Sequence, residues 1–286
     1  MIKVNGTEII VEKYPDGTPR INYGSLFQPS FMVEKGRPSC AVIDWKFEGN
    51  DEVFYLILIK KHLDNNFALY ANAKIPIVLN MSYIPNARMD RTKSDDEVFT
   101  LKYFCDIINS LNFDKVYVLD AHSDVSVALL NRCVNDDPKQ YIASVIDEYC
   151  NKDNLVLYFP DAGAAKRYSG LFPEIRYCYG EKKRDWKTGK IQGLEIRTNE
   201  LDLTGKDVLV IDDIVAFGGS IHFSAAELKK CGVNKIYAYA THTENSVLDR
   251  EKGTLIKDLE NGTVERLFTT NSLFTGKYEK ITVMEV

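Results

Sequence analysis

Apolar residues along this chain fall into short runs that alternate with longer amphipathic segments. Short apolar runs are typical of buried strands, and longer segments with apolar residues three or four apart are typical of helices. The predicted strands cover residues 40–45, 75–79, 116–119, 155–159, 176–179, 208–211, 235–240 and 281–285. The predicted helices cover residues 52–63, 98–111, 139–150, 164–171 and 221–230. This alternation predicts an α/β fold with mostly parallel sheets flanked by helices.

A length of 286 residues is enough for about two domains. The polar stretch at 135–138 is the best candidate for a boundary, so we predict an N-terminal domain over 1–137 and a C-terminal domain over 138–286.

Composition excludes several classes of partner. The net charge of −5 disfavours binding to nucleic acid or to an anionic membrane surface. We find no apolar run long enough to cross a membrane and no signal-peptide pattern at the N-terminus. The six cysteines are scattered and lack C-x-x-C spacing, which indicates reduced thiols in a cytoplasmic protein, without a disulfide framework or a zinc site.

The segment 208–220 (VLVIDDIVAFGGS) is the most informative part of the chain. A buried strand is followed by Asp212 and Asp213, and then by Gly218, Gly219 and Ser220 at the predicted start of a helix. Main-chain N–H groups at such a start can bind a phosphate, whereas the two carboxylates suit sugar hydroxyls or a metal ion. We interpret the segment as a ribose-phosphate site; the alternative is an acidic turn with a solvated Gly-Gly hairpin.

Polar residues follow other predicted strands as well. Arg88, Asp90 and Arg91 come after the strand at 75–79 and could hold a polyphosphate, although they could also be a surface charge cluster. His122 follows the strand at 116–119 and suits a metal ligand or a phosphate contact, the alternative being a buried structural histidine. Asp161 follows the strand at 155–159 and precedes the Lys-Arg pair at 166–167, which suggests a second site for an anion and a metal.

The basic segment 181–190 (EKKRDWKTGK) leaves two interpretations open. It could be a solvated hairpin, as most charge runs are. It could also be a mobile flap that brings cations to a transferring phosphoryl group, since such reactions depend on charge stabilisation.

Taken together, these segments resemble, in the same order, the motifs of the ribose-phosphate diphosphokinase (phosphoribosyl pyrophosphate synthetase) family. The segment YPDGT at 14–18 is similar to the family's F-S-D-G-E, and YIPNARMDR at 83–91 to P-Y-F-x-Y-A-R-Q-D-R. DAHS at 120–123 resembles D-L-H-A, PDAG at 160–163 resembles P-D-x-G-G, and EKKR at 181–184 resembles D-K-R-R. The segments at 210–220 and 238–242 resemble the ribose-phosphate loop and the A-x-A-T-H run that follows it.

The resemblance implies two phosphoribosyltransferase-like domains, the first binding ATP and the second a ribose phosphate. It implies Mg²⁺-dependent transfer of the diphosphoryl group of ATP to the anomeric hydroxyl of a ribose, with release of AMP. The family motifs assign catalysis to Lys182, Arg184 and His122, and Mg²⁺ to His122 and Asp161. They assign ATP to Arg88, Asp90, Arg91 and, from a neighbouring subunit, Tyr14 and Asp16. They assign the ribose phosphate to Asp212, Asp213, Ala216, Phe217, Gly218, Gly219 and Ser220.

Two residues that differ from the family pattern bear on which sugar accepts the diphosphoryl group. Ala216 and Phe217 stand where the family has a carboxylate and a hydroxyl in its D-T-G-G-T loop, so a hydrogen bond to a terminal 5-phosphate is lost and an aromatic surface is gained. We therefore expect an acceptor with a substituted 5-phosphate, with ADP-ribose as the leading candidate. Some phage-encoded relatives of the family make ADP-ribose pyrophosphate in NAD salvage. The alternative acceptor is ribose 5-phosphate.

Thr18 stands where the subunit-crossing segment of the family has Glu, which favours a dimer or another small homo-oligomer over the family's hexamer.

Two other functions compete with the synthetase. A phosphoribosyltransferase would share the Asp-Asp and Gly-Gly loop but would not account for Arg88, Arg91, His122 and the basic segment. A catalytically silent partner subunit would not need them either.

Overall fold

The structure is a computed structural model that describes residues 1–22, 33–34, 37–38, 40–68, 75–184, 191–198 and 200–286. At 33–34, 37–38, 182–184 and 191–193 it describes the backbone but not the side chains. The chain divides into two compact units, Met1–Asp136 and Asp137–Val286. This division lies one residue before the predicted boundary; the roles assigned to the two domains stay predictions.

The first unit is built on a mainly parallel sheet. The strands of the whole unit are β1 (Ile2–Val4), β2 (Thr7–Glu8), β3 (Val11–Lys13), β4 (Pro19–Ile21), β5 (Val33–Glu34), β6 (Arg37–Pro38), β7 (Ala41–Trp45), β8 (Ile77–Met81), β9 (Lys115–Leu119) and β10 (Cys133–Asp136). Its helices are α1 (Asp51–Asn66), α2 (Thr100–Ser110) and α3 (Asp124–Leu129). The order in the sheet is β10-β9-β8-β7-β1-β2; β7 to β10 run parallel, whereas β1 pairs antiparallel with β7.

Helix α1 shows how the sequence pattern builds this unit. Leu56, Ile59 and Leu63 are three or four residues apart and therefore lie on one face of the helix. All three are at most 1% exposed, and they belong to the same apolar cluster as Trp45 of β7 and Leu79 of β8. Full burial of such a side chain contributes about 1.5–3 kcal/mol.

The second unit has a larger sheet. Its strands are β11 (Leu155–Phe159), β12 (Tyr177–Arg184), β13 (Ile191–Arg197), β14 (Asp207–Val215), β15 (Ile236–Thr243), β16 (Arg266–Thr270) and β17 (Ile281–Met284). Its helices are α4 (Lys139–Tyr149), α5 (Ala162–Tyr168), α6 (Gly219–Lys230) and α7 (Leu255–Asn261). The order is β13-β12-β11-β14-β15-β16-β17, and only the pair β12/β13 is antiparallel among these described strands.

Helices cover both faces of this second sheet. Alternate residues of β14 pack into two different apolar clusters: Val208 and Val210 pack with residues of α6 and α7, and Leu209 and Ile211 with residues of α4 and α5. Every residue of β11 is buried for the same reason. The prediction of an α/β fold with mostly parallel sheets flanked by helices is confirmed.

Several boundaries differ from the sequence prediction. The prediction that the strand after Val208 ends at Ile211 is wrong, because main-chain pairing with β15 continues as far as Val215 and Thr243. Helix α5 begins two residues earlier than predicted, at Ala162, and a 3₁₀ turn follows it at Ser169–Leu171. The pattern also did not predict β1 to β6, α3, β10, β13, α7 or β16.

The basic segment after Gly180 begins as a continuation of β12 and returns through β13, so its described backbone is an antiparallel hairpin. Residues 185–190, which include Trp186 and Lys187, lie outside the described residues. In the described part of the chain, none of the helices combines the length and apolar character that a membrane span requires.

Candidate active site

The acidic pair lies near the carboxyl end of β14, where its two carboxylates are fixed by their own backbone. Asp212 accepts a hydrogen bond of 3.0 Å on Oδ1 from the N–H of Asp213. Asp213 in turn accepts one of 2.9 Å on Oδ1 from the N–H of Ile214. In a parallel sheet the carboxyl ends of strands are the usual position of a ligand site. The second unit therefore presents two oriented carboxylates at that position.

Asp213 is held from the neighbouring helix. Nη1 of Arg167 on α5 donates a hydrogen bond of 2.9 Å to Oδ2 of Asp213, whose side chain is only 8% exposed. The guanidinium also lies 5.5 Å from the centre of the Tyr168 ring. The sequence interpretation placed Arg167 at an anion site; the structure pairs it with a carboxylate of the same unit, and its role towards an anion stays a prediction.

Asp212 has an unusual protonation equilibrium. Burial by the surrounding protein raises the pKa of its carboxyl group well above the ordinary value, and the negative charges of Asp213 and Asp161 raise it further. Asp161 is therefore within electrostatic range of the acidic pair. Three carboxylates gather here, with Arg167 as the cation that contacts Asp213, which leaves an excess of negative charge suited to a bound cation or to hydroxyl donors.

Asp161 also has a structural role that the sequence interpretation missed. It is the N-cap of α5, where its Oδ1 accepts a hydrogen bond of 3.0 Å from the N–H of Ala164. A methyl group on Gly163 would come 3.2 Å from that same oxygen, so a residue without a side chain leaves the carboxylate room. The Mg²⁺ role implied for Asp161 stays a prediction.

The turn from β14 into α6 forms the candidate phosphate loop. Gly218, the N-cap of α6, has a φ of 88°, and a methyl group there would overlap Leu255 of α7. The carbonyl of Phe217 accepts hydrogen bonds of 2.8 Å and 3.2 Å from the N–H groups of Thr254 and Leu255. The loop is therefore braced by the start of α7, while the first N–H groups of α6 lie at the positive end of a helix of 12 residues.

The other loop residues line the same turn. Ala216 and Gly219 are half-buried, Ser220 is exposed, and Phe217 keeps 39% of its surface exposed. A methyl group on Gly219 would meet no described atom within 4 Å, so there is open space beside the helix start. The structure thus brings the predicted ribose-phosphate residues together: Asp212, Asp213, Ala216, Phe217, Gly218, Gly219 and Ser220.

In the first unit the candidate nucleotide residues follow neighbouring parallel strands. Arg88 is exposed after β8, and Arg91 lies beside Asp90 with 3.6 Å between Nε and Oδ1. His122 is half-buried after β9 and directly precedes Ser123, the N-cap of α3. Because β8 and β9 are adjacent and parallel, their following segments lie at the same edge of the sheet.

Tyr14 and Asp16 lie at the tip of a hairpin formed by β3 and β4, which is not part of the main sheet. Tyr14 is 54% exposed, and Asp16 accepts a hydrogen bond of 2.9 Å from the N–H of Thr18, which lowers the pKa of its carboxyl group. An exposed, well-formed hairpin tip is available to contact another molecule. The ATP role of this tip stays a prediction.

Lys182 and Arg184 belong to the last part of β12, where the structure describes the backbone alone. Their catalytic role stays a prediction. Gly180 precedes them, and a side chain there would overlap the Tyr158 hydroxyl and the carbonyl of Pro160. This close packing ties the base of the hairpin to the end of β11, just before Asp161.

No group of three or more His, Cys, Asp or Glu side chains forms a closed metal cage among the described residues. Mg²⁺ does not need such a cage, since it usually keeps several waters and binds one or two carboxylates together with phosphate oxygens. The excess of carboxylates at Asp161 and Asp212 fits that mode of binding. His122 stays a predicted ligand from the first unit.

A family model described as "Phosphoribosyl transferase domain" matches residues 159–261, which contain the acidic pair and the loop. The ribose-phosphate pyrophosphokinase of Sulfurisphaera tokodaii is 28% identical over 218 residues, 75% of this chain and 70% of that protein. The ribose-phosphate pyrophosphokinase of Chlorobaculum tepidum is 25% identical over 287 residues, 95% of this chain and 79% of that protein. The chain is similar to ribose-phosphate pyrophosphokinases over most of its length.

A solved structure supports the same fold for the whole chain. The phosphoribosylpyrophosphate synthetase of Mycobacterium smegmatis superposes with a TM-score of 0.72 at 16% identity, over 97% of this chain and 86% of that one. Both units of the chain are α/β domains with the phosphoribosyltransferase-like fold.

Three contacts in the site were not predicted from the sequence. They are the Arg167–Asp213 ion pair, the N-cap of α5 by Asp161, and the bracing of the Phe217 carbonyl by α7. The partners in the first and third are 46 and 37 or more residues apart. The N-cap did have a local signal, since Asp161 directly precedes a helix and Asp is a favoured capping residue.

Proposed function

We propose that this protein transfers the diphosphoryl group of ATP to the anomeric hydroxyl of a ribose phosphate. The anomeric oxygen bonds to the β-phosphorus of ATP, the bond from that phosphorus to the α-phosphate oxygen breaks, and AMP leaves. The observation that carries the proposal is the oriented pair Asp212–Asp213 beside the open start of α6. The relatives named ribose-phosphate pyrophosphokinase add support over most of the chain.

The second unit would bind the acceptor. Asp212 and Asp213 would accept hydrogen bonds from the 2- and 3-hydroxyls of the ribose, with Asp213 kept in orientation by Arg167. N–H groups in the first turn of α6 would bind the 5-phosphate. An acceptor fixed at both ends exposes its anomeric hydroxyl in one orientation, which lowers the entropic part of the barrier.

The nucleotide would be bound by Arg88, Asp90, Arg91 and His122 of the first unit and by Tyr14 and Asp16 of a second copy in a small homo-oligomer. Lys182 and Arg184 would bring positive charge to the transferring group. Mg²⁺, held by Asp161 and His122 together with the phosphates, would supply further neutralisation of charge. Diphosphoryl transfer needs positioning and charge stabilisation more than a nucleophilic side chain, which agrees with this set of residues.

The acceptor that the loop favours is ADP-ribose, which would give ADP-ribose pyrophosphate, a product suited to NAD salvage. Ala216 and Phe217 offer no hydroxyl or charge to a terminal phosphate. A phosphate that carries an AMP group has less charge to neutralise, and the exposed ring of Phe217 offers an apolar surface beside it.

The second candidate acceptor is ribose 5-phosphate. It is favoured by the names of the relatives and by the open helix start, whose N–H groups can bind a phosphate without a side-chain hydroxyl.

The test is AMP release by the purified protein with ATP and Mg²⁺, with ADP-ribose, ribose 5-phosphate or no acceptor. We expect acceptor-dependent release of AMP and a higher kcat/KM for ADP-ribose. A strong preference for ribose 5-phosphate would reject the ADP-ribose assignment and keep the reaction. Pyrophosphate release from added phosphoribosyl pyrophosphate and a nucleobase would indicate a phosphoribosyltransferase, and no turnover in either assay would indicate a silent subunit.

A pair of variants connects the reaction to the basic hairpin. Lys182→Ala should abolish AMP release without changing the melting temperature, and Lys183→Ala, which removes the same charge from the next position, should retain it. Unaltered turnover in Lys182→Ala would remove that residue from the mechanism.

A further inference from the structure

A polar and aromatic group lies at the start of α6, and two of its three residues are outside those assigned above. It consists of His222 and Phe223 together with Phe217 of the loop, and we call it the α6 ledge. The His222 side chain is 39% exposed, Phe223 is 65% exposed and Phe217 is 39% exposed. The rings of His222 and Phe223 lie edge to face with 5.4 Å between their centres.

His222 is held by a buried carboxylate. Its Nδ1 lies 2.8 Å from Oδ2 of Asp258 on α7, whose side chain is 5% exposed. Burial of a carboxylate is costly unless it is hydrogen-bonded, so this contact is a strong constraint on the imidazole. Helix α7 also braces the carbonyl of Phe217 through Thr254. The ledge is therefore fixed to α7 at both of its ends.

The ledge is directed towards the phosphate loop. Helical side chains lean towards the N-terminus, so His222 and Phe223 cover the turn that begins at Gly218 and Gly219. Phe223 follows Gly219 by four residues, a rise of about 6 Å along the axis. Since Asp258 is the hydrogen-bond partner of Nδ1, and no described residue forms a hydrogen bond with the other ring nitrogen, Nε2 is the atom of His222 that can hydrogen-bond to a ligand.

We propose that the α6 ledge binds the nucleoside diphosphate group carried by the 5-position of the acceptor. Nε2 of His222 hydrogen-bonds to the second phosphate, beyond the one bound at the start of α6, and Phe217 and Phe223 contact the purine. The proposal rests on the proposed function with a substituted acceptor. The positive end of α6 favours the anion here, and exposed aromatic rings favour a stacked base.

A purely structural role for His222, as a link between α6 and α7, makes a different prediction. Two variants separate the roles, because Asn can supply a nitrogen near the position of Nδ1 and Gln one near the position of Nε2. If His222 contacts the ligand, His222→Gln retains more selectivity than His222→Asn. If His222 only links the helices, His222→Asn retains more of the wild-type behaviour than His222→Gln, because Asn can keep the contact with Asp258.

The experiment measures the ratio of kcat/KM for ADP-ribose to kcat/KM for ribose 5-phosphate. We expect this ratio to fall about 10-fold in His222→Asn, less in His222→Gln, and about 3–10-fold in Phe223→Ala. The control is Phe54→Ala on α1, which removes a ring that is 52% exposed in the other unit and should leave the ratio unchanged. Equal losses for the two acceptors, or no loss, would overturn the proposal.

Binding measured by calorimetry keeps this result separate from failure of the proposed function. If neither acceptor supports AMP release, the proposed reaction is rejected. Tighter binding of ADP-ribose than of ribose 5-phosphate, with the difference lost in His222→Asn, would still support the ledge. Equal affinities of the wild-type protein for the two compounds would reject it.

Discussion

Arg167 on α5 and Asp213 on β14 form an ion pair of 2.9 Å at the candidate acceptor site. The Asp213 side chain is largely buried, whereas the Arg167 side chain is 35% exposed. Arg167 does not need to touch the substrate to affect it, because it fixes the orientation of a carboxylate that is proposed to hold the ribose. This pair links the stability of the second unit to its proposed chemistry.

Replacement of Arg167 tests that link. Arg167→Met should lower the free energy of unfolding by about 1–2 kcal/mol, since a buried carboxylate loses its partner and the exposure of the guanidinium limits the effect. It should also raise KM for the acceptor. Lys166→Met, at the exposed neighbouring position, should change stability by less than about 0.5 kcal/mol. A similar loss in both variants in chemical denaturation would contradict the role given to the pair.

The carboxyl group of Asp212 should reduce stability at neutral pH. Its folded-state pKa is raised above the ordinary value of 3.8, so the folded protein binds the proton more tightly than the unfolded chain does. Stability is therefore lost as the pH rises above that ordinary value towards the raised pKa. Asp212→Asn should raise Tm at pH 7 by about 2–4 °C, equivalent to about 1 kcal/mol, while sugar binding is lost.

The pH dependence of this gain identifies its cause. The gain should shrink as the pH falls towards 3.8, where the unfolded chain also becomes protonated. Asp213→Asn is the matched change at the next position, and it should lower Tm because Asp213 has a cationic partner. A lower Tm for Asp212→Asn at pH 7 would show that ionised Asp212 stabilises the fold.

The two glycines of the loop should respond in opposite ways. Gly218→Ala combines a φ of 88° with overlap on Leu255, so it should cost at least about 1–2 kcal/mol. The methyl group of Gly219→Ala would meet no described atom within 4 Å. This variant should therefore be as stable as the wild type or more stable by up to about 1 kcal/mol. It should nevertheless raise KM for the acceptor, since its methyl group enters the proposed phosphate site. Equal melting temperatures for the two variants would refute this account of the loop.

Two neighbouring threonines at the end of β16 provide a test of buried polar groups in the second unit. The Thr270 hydroxyl donates a hydrogen bond of 2.7 Å to the carbonyl of Thr241, whereas that of Thr269 has no hydrogen-bond partner among the described residues. Thr270→Val should therefore cost about 1–3 kcal/mol, and Thr269→Val should be neutral or stabilising. Thermal unfolding of both variants measures the difference, and the reverse order would contradict the assignment of these contacts.

The sequence predicted those parts of the fold that depend on local pattern. The strand at 155–159 has the predicted bounds, because five apolar residues lie between the polar Asn154 and the strand-breaking Pro160. The end of β14 could not be located in this way, since the main-chain hydrogen bonds that continue to Val215 are independent of the polar side chains of Asp212 and Asp213. Strand β10, with two exposed residues in the sequence CVND, carries no apolar signal.

In the candidate site too, the sequence predicted the local features but not the long-range contacts. The resemblance of 208–220 to a ribose-phosphate loop was visible in the sequence, because the residues that matter are consecutive. The ion pair of Arg167 with Asp213 and the contact of His222 with Asp258 join residues 46 and 36 positions apart. Their proximity follows from the packing of α5 on β14 and of α6 against α7, which no local pattern specifies.

The most direct test of the central claim is ³¹P NMR of a reaction that contains the protein, ATP, Mg²⁺ and a ribose acceptor. The account predicts AMP and a new diphosphate ester on the anomeric carbon in equal amounts, both absent without acceptor. Formation of ADP with a monophosphorylated sugar, or spectra that do not change with any ribose acceptor, would contradict it.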